Sequence, residues 1–316
     1  LLESGYKITV YDTFYFGNKH FNKNPNLKLI EGDIRDENKL KSSIKNHDIV
    51  VHLACISNDA SFELNENLST TINYDSFKPL VKLAKSSGIE RFIYASSSSV
   101  YGISKEKNVK EDHPLVPLTL YNKFKGMCEP LLLSEVNNNF VGTIFRPATV
   151  CGYSPRMRFD LTVNILTNYA YNKGYIRVFG GQQSRPNCHI DDMCDLYKKL
   201  IHDDISKFNG EIFNVGTENL KIIEVAEKVK SVMKNKLNKN DIEIRVEESA
   251  DIRSYMINSD KIKNILGFEF KKTVTNAIED LCDAFEKKII KDSFSDEWSN
   301  IKVLTKIEEN KNQNKV

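Results

Sequence analysis

A short apolar run that ends in four consecutive serines constrains the fold of this chain more than any other feature. The run is Arg91–Ala95, and its aromatic and β-branched side chains are typical of a short buried strand. Four serines, residues 96–99, follow it directly, so hydroxyl groups lie at the carboxyl end of a strand. Ligands of open α/β sheets bind at that edge. The sequence therefore predicts a sheet with a polar site where this strand ends.

Further apolar runs support an α/β fold class. Residues 7–12, 27–34, 48–54 and 141–147 have the composition of strands. The run at 48–54 is apolar at nearly every position, as a strand needs when a parallel sheet buries it on both faces.

A tyrosine and a lysine lie four residues apart on the helix that we predict for residues 121–134. Tyr121 and Lys125 therefore share one face of that helix, beside the serines of the strand end. Since a nearby positive charge stabilises a phenolate, we expect Lys125 to lower the pKa of Tyr121. This spacing also arises by chance in many helices, and only its combination with the serine strand indicates a proton-transfer site.

The strand, the serines, the Val-Tyr-Gly that follows them and the Tyr-x-x-x-Lys pair resemble the extended short-chain dehydrogenase/reductase family. The resemblance is to its NAD-dependent nucleotide-sugar epimerases and dehydratases of the UDP-glucose 4-epimerase type, and it covers nearly the whole chain. It implies that Ser97, Tyr121 and Lys125 are catalytic. Tyr121 would take a proton from a sugar hydroxyl during hydride transfer, Ser97 would hydrogen-bond that oxygen, and Lys125 would hold the cofactor ribose and Tyr121.

The family fold is a Rossmann-type doubly wound parallel sheet with a smaller C-terminal substrate-binding lobe, and we expect the same here. Residues 1–150 would form the NAD-binding domain, and 151–293 mainly the lobe, interleaved with the last sheet strands. Residues 294–316 form a polar tail that we expect to be mobile or an oligomer contact. Family members carry a first strand and a Gly-x-x-Gly-x-x-Gly turn before the position where this sequence begins, so we expect an N-terminally truncated sequence.

The resemblance also implies a set of NAD contacts. Asp12, where the predicted strand 7–12 ends, would accept hydrogen bonds from the adenosine ribose and repel a 2′-phosphate, which favours NAD over NADP; an ordinary turn aspartate is the alternative. Asn73, on a helix predicted for 67–87, would buttress the loops beside the cofactor. The expected cofactor-binding residues are Asp12, Asp33, Ile34, Leu53, Ala54, Asn73, Tyr121 and Lys125.

The expected substrate is a nucleotide-diphosphate sugar. Arg185 and Arg253 would clamp its diphosphate from two sides. A second pair, Arg156 and Arg158, fits a diphosphate or a sugar acid, and equally an interface or a solvated surface. The expected substrate-binding residues are Ser98, Thr149, Arg185 and Arg253.

The two residues after the catalytic serine bear on the reaction that follows oxidation of the sugar. In dehydratase-like and decarboxylase-like relatives one or both are acidic, whereas here they are Ser98 and Ser99. We therefore expect an epimerase that forms a transient keto sugar. The alternatives are a nucleotide-sugar 4-dehydrogenase, a 4,6-dehydratase, and a catalytically silent nucleotide-sugar-binding protein, although a silent protein has no need of Ser97, Tyr121 and Lys125 together.

Composition argues against several other classes. The formal net charge of +2 and a pI near 8.1 give no strong attraction to nucleic acid. The six cysteines lack Cys-x-x-Cys spacing, which indicates buried thiols of a reducing compartment, so we expect no disulfide and no metal site. We also expect no membrane span and no signal peptide. We therefore expect a cytoplasmic protein, and the resemblance implies a homodimer.

Overall fold

Eleven strands and eleven helices are present in the computed structural model, which describes residues 1–204, 207–249 and 253–313. The strands are β1 Ile8–Asp12, β2 Leu27–Glu31, β3 Ile49–His52, β4 Arg91–Ala95, β5 Val141–Pro147, β6 Thr149–Cys151, β7 Tyr175–Phe179, β8 Ser184–His189, β9 Glu211–Val215, β10 Glu218–Lys221 and β11 Glu243–Glu247. The helices are α1 Glu37–Ile44, α2 Asp59–Glu63, α3 Glu66–Thr70, α4 Phe77–Ser86, α5 Leu120–Leu133, α6 Thr162–Lys173, α7 Ile190–His202, α8 Ile222–Leu237, α9 Asp260–Leu266, α10 Val274–Glu286 and α11 Asn300–Gln313.

The largest sheet has the order β3-β4-β5-β9, with every pair parallel. β1 and β2 form a second parallel sheet. In β4, Phe92 and Tyr94 pack against α1, α4 and α5, whereas Ile93 between them packs against α7 and α9. Because successive side chains of a strand point to opposite faces, a strand covered on both faces must be apolar throughout. This arrangement confirms the predicted α/β class with a doubly wound parallel sheet.

A second apolar core lies in the C-terminal half. The helices α6, α8 and α10 pack around β7, which pairs in parallel with β11. A small sheet of order β10-β8-β6 begins directly after β5, and its β8 leads into α7 on the large sheet. The chain therefore passes between the two cores more than once, with α7, β9 and α9 returning to the first.

The helix predicted over residues 67–87 is interrupted. α3 ends at Thr70, a π-helical turn covers Thr71–Asp75, and α4 begins at Phe77. π-turns frequently occur at functional sites. Here the turn contains Asn73, one of the expected cofactor residues.

The C-terminal segment packs on the first half of the chain. α11 buries Leu304 against Ile56 and Ile72, with Ile34 and Ile307 beside them. The expectation of a mobile tail is therefore wrong for residues 300–313, whose apolar side chains recur at helical spacing within a polar composition. Among the described residues, no helix combines the length and the apolar character that crossing a bilayer requires.

We predict that Leu304→Ala lowers the free energy of unfolding by about 2 kcal/mol, since it removes a buried leucine from a small apolar cluster. Glu309→Ala, at an exposed position of the same helix, should change it by no more than about 0.5 kcal/mol. Urea denaturation of both variants measures the difference. Equal stability of the two variants would show that α11 does not pack on the first half in solution.

Candidate active site

A buried ion pair holds the end of β4 against α5. Glu129 of α5 accepts two hydrogen bonds from Arg146 of β5, at 3.0 and 2.6 Å, and the two side chains are only 3% and 4% exposed. Ser96, the first residue after β4, donates its hydroxyl to the same carboxylate at 2.6 Å. Arg146 also donates to the Tyr101 hydroxyl at 2.7 Å. The serine end of the strand is thus fixed to the helix that carries Tyr121.

The next serines have separate partners. Ser97 caps the 3₁₀ helix of Ser98–Tyr101, and its Oγ lies 2.6 Å from the Oγ of Ser99. Ser99 in turn donates to Asn122, the neighbour of Tyr121. The Ser98 side chain is buried and lies 3.4 Å from the hydroxyl of Tyr255. Ser97 is therefore linked through Ser99 to the first turn of α5.

Tyr121 lies in that first turn, where α5 meets the loop that follows β3. Burial raises the pKa of Tyr121 above its ordinary value, and the nearby Cys55 and Asp59 raise it further. Arg158 and a hydrogen bond from the Asn58 backbone act in the opposite direction. The pKa of Tyr121 is therefore raised, not lowered as the Lys125 spacing predicts, and the cation that opposes this rise is Arg158, which comes from a different segment.

Lys125 is buried and turned toward the sheet. Its Nζ donates to the carbonyl of Ala95 at 2.7 Å and lies 5.2 Å from the centre of the Tyr94 ring. Burial, followed by the charge of Lys125, lowers the pKa of His52 to about 3, so this histidine is neutral at physiological pH. The ammonium is thus held where β4 ends, and His52 packs among aromatic rings.

The loop after β3 contributes two residues that the sequence did not single out. Asn58 has φ 69° and ψ 161°, a combination that is essentially restricted to glycine and costs on the order of 1–3 kcal/mol. This conformation accompanies the backbone hydrogen bond to Tyr121. Asp59 accepts a hydrogen bond from Thr119, the N-cap of α5, at 2.5 Å and pairs through its other oxygen with Arg253. The sequence feature that could have indicated these two residues is an Asn-Asp pair shortly after an apolar strand.

A second carboxylate is paired with the cation that acts on Tyr121. Asp160 is gripped by Arg158 through Nε and Nη2, at 3.0 and 2.9 Å. Arg158 and Asn300 both donate to the hydroxyl of Ser57, at 3.3 and 2.9 Å. The N-terminus of α11 thus meets the segment that carries the cation acting on Tyr121.

The structure brings Arg185 and Arg253 together. Arg185 donates to the carbonyls of Ser184 and Arg253, and its guanidinium lies 5.9 Å from the centre of the Tyr255 ring. Thr149, the first residue of β6, is half-buried and pairs with Asn187 of β8. Asp251, two residues before Arg253, lies outside the described residues.

The residues expected to hold NAD lie mostly at the carboxyl ends of the parallel strands. Asp12 is exposed where β1 ends and accepts from the backbone of Phe14 at 2.7 Å, and Leu53, just beyond β3, is 55% exposed beside Ala54. Asn73 is buried and bonds both backbone groups of Ile56, at 2.8 and 2.9 Å. An exposed carboxylate where β1 ends and an exposed apolar side chain just after β3 fit a ribose and a dinucleotide face.

Asp33 and Ile34, two further residues expected to bind the cofactor, also contact other parts of the protein. Both oxygens of Asp33 are held by Arg35, at 2.9 and 2.6 Å, so an adenine amine would have to share this carboxylate. Ile34 packs in the cluster of Leu304 and faces α11. The adenine side of the expected site therefore lies close to the C-terminal helix.

One group of possible metal ligands occurs in the described part of the chain. It consists of His189, Asp191 and Asp280. The ammonium of Lys272 pairs with both carboxylates, at 2.7 and 3.4 Å, and His189 lies 3.1 Å from Asp280. A lysine thus already supplies the positive charge between these acids.

We predict that Glu129→Gln lowers the free energy of unfolding by about 3 kcal/mol, because it leaves the buried guanidinium of Arg146 without a counter-charge. Glu135→Gln, which weakens a more exposed pair with Lys85, should cost less than about 1 kcal/mol. Denaturant unfolding of both variants makes the comparison. A loss for Glu129→Gln no larger than that of the control would contradict the role given to the buried pair.

Comparison with known proteins identifies relatives of this chain. Over 265 residues the chain is 26% identical to the low-salt glycan biosynthesis protein Agl12 of Haloferax volcanii, covering 83% of each chain. It is 24% identical over 300 residues to a UDP-glucose 4-epimerase of Lactobacillus helveticus, covering 86% of this chain and 87% of the relative.

The fold matches that of a dTDP-glucose 4,6-dehydratase from Streptomyces venezuelae, solved with NAD bound. The TM-score is 0.78 at 20% identity, over 91% of this chain and 92% of the other. The model of the NAD dependent epimerase/dehydratase family matches residues 1–216. The chain therefore belongs to the NAD dependent epimerase/dehydratase family, whose members are NAD-dependent enzymes.

Proposed function

We propose that this protein is an NAD-dependent nucleotide-sugar epimerase that acts through a transient keto sugar. The observation that carries the proposal is the state of the acidic groups near Tyr121. Ser98 and Ser99 face Tyr255 and Asn122, and the two nearby carboxylates, Asp59 and Asp160, are held in ion pairs with arginines. A dehydratase needs a free acid and base beside the sugar to eliminate water. Ion-paired carboxylates are poor candidates for that task.

The oxidation step is assigned to three side chains. NAD, when bound, supplies the hydride acceptor. Tyr121 takes the proton of the sugar hydroxyl as that carbon is oxidised, and Ser97 donates a hydrogen bond to the same oxygen. Lys125, held on the carbonyl of Ala95 where β4 ends, supplies positive charge on the cofactor side.

Inversion requires that hydride return to the opposite face of the keto sugar. The sugar must therefore turn while the rest of the substrate stays in place. We assign the anchoring to Arg185 and Arg253, which lie side by side and carry the bidentate geometry that a diphosphate matches. The lobe of residues 151–293 supplies both arginines, and we assign substrate binding mainly to it and NAD binding to residues 1–150.

The proposed homodimer has a candidate surface on α5. Leu120 and Met127 on this helix are each 36% exposed, and Leu118 just before it is 42% exposed. Exposed apolar side chains grouped on one helix are typical of an interface. Light scattering during gel filtration measures the mass directly.

The test of the proposed reaction is incubation with NAD and a panel of UDP-, GDP-, CDP- and dTDP-sugars, following product mass and NADH absorbance together. We expect an isomer of unchanged mass and no lasting NADH. Tyr121→Phe should abolish turnover, because the phenolate that takes the proton can no longer form, while the affinity for the nucleotide sugar stays nearly unchanged.

The other outcomes each contradict part of the proposal. Accumulating NADH with a product two mass units lighter would make the protein a dehydrogenase. Loss of water would make it a dehydratase and would show that Asp59 or Asp160 leaves its arginine. Binding without turnover on any sugar would favour a silent binding protein, and normal turnover by Tyr121→Phe would remove Tyr121 from the mechanism.

We predict that Arg158→Gln moves the rising limb of the pH profile of kcat to higher pH. Arg158 is the side-chain cation that opposes the burial of Tyr121, so its removal raises the pKa of the phenol and leaves less phenolate at any given pH. Arg158→Lys keeps the charge and should restore much of the profile. An unshifted profile in Arg158→Gln would show that Arg158 does not act on Tyr121 during turnover.

A further inference from the structure

One guanidinium beside the candidate active site presents a buried edge without a partner. The Nε and Nη2 atoms of Arg156 are shielded from solvent, and among the described residues neither has a hydrogen-bond partner. Leaving buried charged donors unpaired is costly, and natural proteins rarely do so without a reason. The two unpaired N–H groups of Arg156 therefore indicate a binding site for a ligand.

The same edge is the one that other arginines of this chain use to hold anions. Four of them contact both oxygens of one carboxylate with Nε and Nη2, each bond lying between 2.6 and 3.0 Å. These pairs are Arg35 with Asp33, Arg146 with Glu129, Arg158 with Asp160, and Arg177 with Glu247. The Nε and Nη2 donors of Arg156 form the same fork, in a buried position. Such a fork can bind two oxygens of one anion.

The residues around Arg156 hold its guanidinium in place without neutralising its positive charge. Its guanidinium lies 4.3 Å from the centre of the Phe16 ring, in the loop that follows β1. Stacking on a ring leaves the N–H groups in the guanidinium plane free to bond. The carboxylate of Asp160 is near Arg156 but is hydrogen-bonded to Arg158. A single negative charge is therefore shared between two arginines. Burial and Arg158 lower the pKa of Arg156 to about 10, which still leaves it charged at neutral pH.

The position of this fork is close to the proposed chemistry. Arg156 precedes by two residues the arginine that acts on Tyr121, and Phe16 follows the strand end at Asp12. The fork therefore lies between the loop of residues 13–21 and the segment of residues 154–160, on the side of the sheet where the strands end.

We infer that Arg156 forms an anion subsite that grips two oxygens of a ligand phosphate with its buried Nε/Nη2 edge. The inference rests on the proposed function, because both the cofactor and the proposed substrate carry a diphosphate. Arg185 and Arg253 form a separate clamp on the substrate side, joined to Asp59 rather than to Arg156.

The experiment compares wild type, Arg156→Gln and Arg156→Lys by isothermal titration with NAD, UDP-glucose, UDP and inorganic pyrophosphate. The Arg156→Gln variant should bind at least one of these about 10- to 100-fold more weakly, the range for a hydrogen-bonded charge. Lysine should recover only part of the affinity, since it keeps the charge but loses the fork. Arg177→Gln, which removes an exposed arginine from the Glu247 pair, should bind like wild type.

The pattern of losses identifies which phosphate is held. A loss for NAD alone assigns the subsite to the cofactor, and a loss for UDP-glucose and UDP alone assigns it to the substrate. Affinities of Arg156→Gln equal to those of Arg177→Gln for every probe would overturn the inference. So would a wild-type protein that binds none of the four.

Thermal unfolding without ligand distinguishes a binding role from a structural one. A buried cation without a partner destabilises the free protein, so Arg156→Gln should keep or raise the Tm. A fall in Tm larger than that of Arg156→Lys would place Arg156 in the framework and overturn the inference. These readouts need no turnover, so weaker binding by Arg156→Gln supports the subsite even if no sugar of the panel is epimerised. Conversely, epimerisation together with unchanged affinities rejects the subsite alone.

Discussion

The ion pair between Arg146 and Glu129 is the interaction on which the geometry of the site depends. It lies almost wholly out of solvent, where separate charges would be very unfavourable, and it persists because its polar atoms are satisfied. Arg146 fills its fork with Glu129 and gives its remaining nitrogen to Tyr101 and to the carbonyl of Glu111. Since the pair spans β5 and α5 and also holds Ser96, it fixes the distance between the serine strand end and the helix of Tyr121. Apolar packing alone would allow that helix to slide.

The charges around Tyr121 show why local spacing is a limited guide to a pKa. A separation of four residues places Lys125 on the same helix face as Tyr121, but the lysine extends to the carbonyl of Ala95 instead. The opposing cation arrives from a segment 37 positions further along the chain, oriented by Asp160 and Ser57. Burial nevertheless exceeds its effect, so the phenol of the free protein is a weak acid.

The sequence predicted the structure best where the residues of a local pattern are packed in the fold as that pattern requires. The bounds of β4 and β5 match the apolar runs, because both strands are buried on both faces and most of their side chains are therefore apolar. The helix of Tyr121 also forms where expected, and it continues past Pro130, which lies near its end. The π-turn around Asn73 was missed, since it follows from the bonds of that side chain to Ile56.

Other features could not be predicted from the sequence, because they depend on contacts between distant parts of the chain. α11 is polar overall, and only its contact with Ile56 and Ile72 makes Leu304 a core residue. The roles of Asn58 and Asp59 depend on Thr119, Tyr121 and Arg253, which are distant in the chain. Contacts of this kind belong to the fold as a whole, and no window of local sequence contains them.

The arginines of the site differ in what binding a ligand would require of them. Arg158 is paired with Asp160 through two bonds, so a phosphate that approached it would have to compete with a carboxylate already in place. Such an exchange gains little, because one charge-assisted pair replaces another. Arg156 has no such bond to give up, and an anion that reaches its buried fork gains the full interaction. We therefore expect the affinity of this protein for a ligand phosphate to depend on Arg156 more than on the number of arginines around the site.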